Sequence, residues 1–100
     1  MDFAAAYRAC RPLYEQAATK LAPAAALRVT VYAVTYRYMT DQLGREPTGA
    51  EHLAALDVSR ATYQRHRRDF RTAFGVDSPL DLPAEMVPSV PTLPLALHFA

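Results

Sequence analysis

The chain has 100 residues, of which 51% are hydrophobic and 21% charged, and its formal net charge is +1 at pH 7. This length suits one small domain with a modest core. No segment approaches the about 20 consecutive apolar residues that cross a bilayer, and the charged start does not resemble a secretion signal, so we expect a cytoplasmic protein without membrane contact. Cys10 is the only cysteine, which excludes an internal disulfide and a thiolate metal cluster, and we expect it to be buried.

The first predicted element is a helix that Asp2 can cap. Pro12 interrupts it, and a proline inside a helix removes one hydrogen bond and clashes with the preceding turn. Either one helix is kinked there or a second helix starts with Pro12 in its first turn. We expect one kinked helix, because apolar residues keep a seam of alternating four- and three-residue steps on both sides of the proline, suited to packing on a second helix or a dimer partner. The seam consists of Phe3, Tyr7, Cys10, Tyr14, Ala17 and Leu21.

A second helix is predicted from Pro23 to about Leu43, with Gly44 as its stop signal. The β-branched run Val29–Tyr36 could form a strand, but helical spacing relates Leu27, Val31, Val34 and Tyr38, and we therefore favour a helix. Arg28, Thr35 and Gln42 fall together on another side. The apolar surface is wide and includes Tyr32 and Tyr36, which is typical of a central core helix or a dimer interface. We therefore expect a symmetric homodimer that uses the first two helices.

A short third helix is predicted from Gly49 to near Leu56. Thr48 and Glu51 form a capping box, in which the hydroxyl accepts from an amide and the carboxylate reaches back to the cap. Asp57 and Val58 then form a turn.

The fourth helix is predicted to begin after Ser59, which can accept from the amide of Ala61 or Thr62, and to end at Gly75. Its two faces differ in character. The face expected in the core contains Tyr63, His66, Phe70, Ala73 and Phe74, whereas the opposite stripe contains Arg60, Gln64, Arg67, Arg68 and Arg71. Between Ser59 and Gly75, five arginines stand against one aspartate, a formal charge of +4. The positive charge of the chain is therefore local, as expected where phosphates are bound.

The run Leu53–Arg65, LAALDVSRATYQR, resembles the helix-turn-helix of bacterial and phage regulators and is similar to resolvase-type DNA-binding domains. Asp57 stands where those families usually have a glycine, and we expect it to be left-handed, which aspartate tolerates better than most residues. The resemblance covers about a quarter of the chain and implies that the fourth helix is a DNA recognition helix.

The residue types of this helix suit duplex DNA. Arginine offers a planar fork that reads guanine bidentately, and the start of the recognition helix enters the major groove. We expect Arg60, Ala61, Thr62 and Gln64 to lie at base edges, Arg67, Arg68 and Arg71 to contact the backbone, and Ser59 to donate to a phosphate. The predicted DNA-binding set is Ser59, Arg60, Ala61, Thr62, Gln64, Arg65, Arg67, Arg68 and Arg71.

Other functions are compatible with parts of the same sequence pattern. The arginine stripe could be a solvated face paired with Asp69 or with the acidic start of the C-terminal segment. The protein could instead be an interaction module, an adaptor or inhibitor of a host protein, in which the stripe meets an acidic partner. No convergent catalytic set, phosphate loop, metal site or cofactor motif is visible. His52, His66 and His98 are scattered, and we expect His66 in the core or beside a phosphate.

After Gly75 the composition changes. Residues 76–100 contain no lysine or arginine and five of the eight prolines. A proline at every third position over residues 88–94 favours a polyproline helix. The sequence therefore predicts an all-α domain over residues 1–75, with the helix-turn-helix at 48–75, and a proline-rich arm over 76–100. We expect residues 86–99 to run extended across an apolar groove of the same subunit or of a homodimer partner.

Overall fold

Four α-helices make up most of the described chain. The computed structural model describes residues 3–89. Within that range it contains no strand and four helices, α1 (Phe3–Ala18), α2 (Pro23–Leu43), α3 (Gly49–Leu56) and α4 (Arg60–Phe74), followed by two 3-10 turns at Pro79–Asp81 and Ala84–Met86. The predicted all-α class is confirmed for these residues, and the second and third helices have the predicted bounds.

Helix α1 continues through Pro12, so the prediction of one helix is confirmed. The predicted seam is right in part, because Cys10 and Ala17 are buried and Tyr14 and Leu21 pack against the core. Tyr7 is 49% exposed, Leu13 is fully buried, and Leu21 lies beyond the end of the helix. Cys10 is buried as predicted, and burial raises the pKa of its thiol to about 11. Helix α1 contacts both α2 and α4. The face of α1 that points between these two helices is therefore buried, whereas the predicted seam assumed contact with a single helix. That face contains Ala6, Cys10, Leu13 and Ala17.

Helix α2 is the centre of the core, as its wide apolar surface predicted. Seven consecutive residues from Val29 to Thr35 are buried, and α2 contacts α1, α3, α4 and the first 3-10 turn. Thr35, expected on a polar side with Arg28 and Gln42, is only 2% exposed. The polar side is narrower than predicted because neighbours surround this stretch. The hydroxyl of Thr30 donates to the carbonyl of Ala26 at 2.8 Å, which satisfies that buried group.

The apolar surface that motivated a homodimer is buried within one chain. Among residues 4–89, the large hydrophobic side chains that remain exposed are Tyr7 and Leu43. Both are single residues, and scattered exposed hydrophobic residues are normal on a monomer. The stretch of α2 from Val29 to Thr35 is therefore covered without a second subunit.

The caps that define α3 and α4 follow the sequence. Both hydrogen bonds of the capping box between Thr48 and Glu51 are present. Asp57 has φ 54° and ψ 50°, the expected left-handed conformation. Ser59 accepts from the amide of Thr62 at 3.2 Å. These local bonds set where each helix begins and therefore how α4 leaves the turn.

The segment after α4 packs on the helices as far as the structure describes it. Pro79 and Val87 are buried, and Val87 belongs to the hydrophobic core cluster. Leu82 and Met86 are half-buried against that cluster, and the second 3-10 turn contacts α1. The predicted extended arm over residues 86–99 lies mostly outside the described residues, and its path beyond Ser89 stays a prediction.

Candidate nucleic-acid interface

The predicted DNA-binding residues lie on α4 and at its N-terminal cap. All five residues expected in the core are buried, namely Tyr63, His66, Phe70, Ala73 and Phe74. Of the predicted binding set, Thr62 is half-buried and the other eight are exposed, namely Ser59, Arg60, Ala61, Gln64, Arg65, Arg67, Arg68 and Arg71. The nine residues therefore lie on α4 and at its N-cap, and their side chains point in more than one direction.

Two clefts flank α4 and divide these residues into groups. One flank lines a cleft that we name the tyrosine cleft, and it contributes Arg60, Gln64 and Arg67. The opposite flank lines a second cleft, which faces Arg28 of α2, and it contributes Thr62 and Arg65. Ala61 and Arg68 lie on the ridge between the two flanks, because successive helical residues are about 100° apart.

The tyrosine cleft has a volume of about 440 Å³ and is bordered by α2, α3, α4 and the first 3-10 turn. Tyr32, Tyr36 and Tyr63 contribute aromatic surface, and Tyr32 and Tyr63 are buried. The hydroxyl of Tyr36 donates to Oε1 of Glu46 at 2.8 Å. Burial is the main cause that raises the pKa of Tyr36 to about 12, and this hydrogen bond is the second cause. The phenols are therefore neutral donors at physiological pH.

A buried hydrogen-bond chain holds α2, α3 and α4 together behind the tyrosine cleft. His52 is fully buried, and its Nε2 lies 2.9 Å from the backbone carbonyl oxygen of Tyr32. A carbonyl can only accept, so Nε2 carries the proton and donates. Nδ1 is then an acceptor, and the hydroxyl of Tyr63, at 2.8 Å, must donate to it. The ring of Tyr32 lies against that of Tyr63, with ring centroids 5.7 Å apart, and both rings line the cleft.

Electrostatics keep this chain neutral. Burial lowers the pKa of His52 to about 4, although its hydrogen bond to the carbonyl of Tyr32 opposes the shift. Burial is also the main cause that raises the pKa of Tyr32 and of Tyr63, and the positive charge of Arg67 opposes both shifts. Arg67 lines the same cleft as the two phenols, so its positive charge lies beside them.

Few carboxylates neutralise the arginines of α4. Nε of Arg71 lies 2.7 Å from Oδ1 of Asp77, just beyond the helix. Within residues 3–89, this is the ion pair that α4 forms. Arg65 donates to the hydroxyl of Thr62 at 3.1 Å. The alternative that the stripe is paired with the acidic start of the C-terminal segment is thus confirmed for Arg71, and most of the positive charge of α4 remains available to a partner.

Sequence reasoning missed the residues that position α4 from behind. His52 was grouped with scattered histidines, and Tyr32 and Tyr36 were read only as apolar surface of the second helix. His52 and Tyr63 lie in neighbouring predicted helices. Two polar rings on either side of a short turn could have indicated a hydrogen bond between them. Nothing local indicated that Tyr32, 20 residues before His52, completes the chain.

Comparison with known proteins gives no assignment. No protein-family model, curated protein or solved structure matches this chain. None of the helices within residues 3–89 combines the length and the apolar character that crossing a membrane requires.

Proposed function

We propose that the protein binds duplex DNA through α4 and acts as a small sequence-specific transcriptional regulator with a helix-turn-helix. The main support is that α4 has four exposed arginines without a carboxylate of residues 3–89 within ion-pair distance. They are Arg60, Arg65, Arg67 and Arg68. An arginine-rich helix face of one sign attracts the phosphate backbone, and arginine can also read guanine bidentately.

The start of α4 supplies base readout in this proposal. Arg60 and Gln64 lie in the first two turns of α4, at the edge of the tyrosine cleft, where a helix docked by its N-terminal end meets base edges. Arg67 and Arg68 lie one turn further along and contact the backbone. Arg71 contributes less, because a phosphate must displace the carboxylate of Asp77.

A single recognition helix reads few base pairs, so we propose that two chains bind one operator. The buried face of α2 is unavailable for their contact. Sedimentation of the free protein and of its DNA complex tests this point, and a complex of one chain on its preferred duplex would contradict it.

The direct test is fluorescence anisotropy of labelled duplexes, selected from a random pool, over a series of salt concentrations. We expect Arg68→Gln to weaken binding to all duplexes and to reduce the slope of log K against log salt by about 1. Arg11→Gln is the matched control, since Arg11 is an exposed arginine on α1 that pairs with Glu15 at 2.7 Å. Equal affinity and slope for both variants would refute the proposal.

A protein-interaction module is the second candidate, and one observation favours it. Arg71 already holds a carboxylate of its own chain, Asp77, which shows that an acidic segment can lie against this stripe. The two candidates differ in their response to DNA. An interaction module would bind duplexes weakly and without preference between sequences.

A further inference from the structure

The second cleft beside α4 has features that DNA reading by the start of the helix does not use. Its volume is about 350 Å³, and it is lined by Arg28 of α2 and by Thr62, Arg65, His66 and Asp69 of α4. Arg28 and Arg65 are exposed and approach the cleft from two different helices, and neither forms an ion pair within residues 3–89. Asp69 is half-buried and supplies the carboxylate among the lining residues.

The hydroxyl of Thr62, which lines this cleft, can donate a hydrogen bond. Its hydroxyl oxygen accepts from the hydroxyl of Ser59 at 3.0 Å and from Nη2 of Arg65 at 3.1 Å. A hydroxyl has two acceptor sites and one proton. Both acceptor sites of the Thr62 hydroxyl are used, so its proton remains available to donate to a ligand.

His66 forms the most buried part of the lining. It is 8% exposed, and its Nδ1 is buried without a hydrogen-bond partner among residues 3–89. Burial lowers the pKa of His66, the positive charges of Arg28 and Arg65 lower it further, and Asp69 opposes them. The cleft therefore combines two cations, one anion and a neutral imidazole that carries an unsatisfied polar atom. A buried polar atom without a partner is uncommon in a folded protein.

We propose that this cleft binds a phosphate group, with Arg28 and Arg65 as charged ligands and the Thr62 hydroxyl as a third donor. Two guanidinium groups from different helices match the several oxygens of a phosphate. The phosphate belongs either to a DNA backbone or to a free small molecule, and the first source rests on the proposed function. In the first case, the DNA interface extends from α4 onto α2.

The test is an NMR pH titration of the histidine imidazoles in inorganic phosphate and in chloride at equal ionic strength. We expect the pKa of His66 to be higher in phosphate, with a shift that saturates, because the bound anion offsets the two cations. His52 is an internal control in the same spectra, since it does not line the cleft, and any change in its pKa, which can come only through the charge of His66, should be smaller than that of His66. In chloride, Arg28→Gln should itself raise the pKa of His66.

Variants assign the response to the cleft. Arg28→Gln and Arg65→Gln should abolish the saturable shift, and Arg37→Gln should retain it, because Arg37 lies on α2 but pairs with Asp41 at 3.4 Å. All three side chains are at least partly exposed, so the fold should survive. A pKa of His66 that is the same in phosphate and chloride, or a shift that persists in both cleft variants, would overturn the proposal.

Duplex binding then identifies the source of the phosphate. If it is DNA, Arg28→Gln lowers the salt slope of duplex binding by about 1, and Arg37→Gln leaves it unchanged. If the two variants bind duplexes equally while the phosphate response of His66 persists, the ligand is a free molecule that carries phosphate. If the unmodified protein shows no specific duplex binding but the pKa of His66 still responds to phosphate, the proposed function is refuted and the phosphate site is supported.

Discussion

Acid should weaken the junction of α2, α3 and α4 by protonating His52. Both ring nitrogens of His52 are used in the folded state, Nε2 as a donor to Tyr32 and Nδ1 as an acceptor from Tyr63. A second proton on Nδ1 removes that acceptor and leaves a buried charge. The pKa of His52 is lowered from 6.5 to about 4 in the folded protein. At about 1.4 kcal/mol per pKa unit, this difference corresponds to a loss of roughly 3 kcal/mol.

The sign follows from proton binding. The unfolded chain takes up the proton first, so the stabilising contribution of neutral His52 is complete above pH 6.5 and is lost as the pH falls toward about 4. His66, whose pKa is also lowered, adds a loss in the same direction. Glu51, with a pKa lowered to about 2 chiefly by the hydrogen bond from Arg45, contributes only below about pH 4.5. Measurements between pH 7.5 and 5 therefore isolate the histidines.

The assay is urea unfolding followed by circular dichroism at several pH values in this range. We expect the free energy of unfolding to fall by about 2 kcal/mol from His52 between pH 7.5 and 5. His66→Gln removes the second contribution and is the control. NMR titration of the folded protein measures the His52 pKa directly. A His52 pKa between 6 and 7, or a stability that does not change above pH 5 in His66→Gln, would refute the reasoning.

Three further predictions concern stability and the arginine stripe. Asp57→Ala should destabilise the protein by about 1 kcal/mol in thermal or urea unfolding and Asp57→Gly should not, because only glycine takes the left-handed conformation without cost; equal effects would contradict this. Leu13→Ala should cost about 2–5 kcal/mol, whereas Leu43→Ala, at a 42% exposed position, should cost less than about 1 kcal/mol; similar losses in urea unfolding would mean that the buried face of α1 is misassigned. Asp77→Asn should free Arg71 and strengthen duplex binding at low salt, and an unchanged anisotropy curve would show that Arg71 does not contact DNA.

Base readout gives a last prediction. Replacing Arg60 or Gln64 by alanine should reduce the preference for the selected duplex over a random one by about 1–3 kcal/mol. Competition anisotropy with both duplexes measures this difference. If the preference is unchanged in both variants, sequence is read elsewhere on the protein.

The features that the sequence predicted are those set by neighbours along the chain. The capping box at Thr48, the left-handed Asp57, the cap at Ser59 and the buried face of α4 each depend on residues within about one or two helical turns. Their physical causes can be read from a single segment. The bounds of α2 and α3 follow for the same reason.

The features that it missed depend on which helices meet. Tyr7 was placed in the buried seam of α1, and Leu13 was left out of it, because such a seam assumes one partner helix, whereas α1 lies against two. Thr35 was assigned to a polar side because its neighbours in space were unknown. The hydrogen bonds of His52 join residues of three helices, and the clefts beside α4 need Arg28 and Tyr36 from α2. No local pattern contains these pairings.

The burial of Val87 has a consequence for biosynthesis. Residues near position 87 contact the first helix, so the two ends of the described chain meet at the core. A ribosome that has released α1 to α4 has delivered the four α-helices of residues 3–89 but not Val87, which covers this part of the core. The nascent chain therefore keeps an apolar opening until Val87 emerges from the ribosome, and translation stalled before that point should leave a species that chaperones recognise and proteases cut.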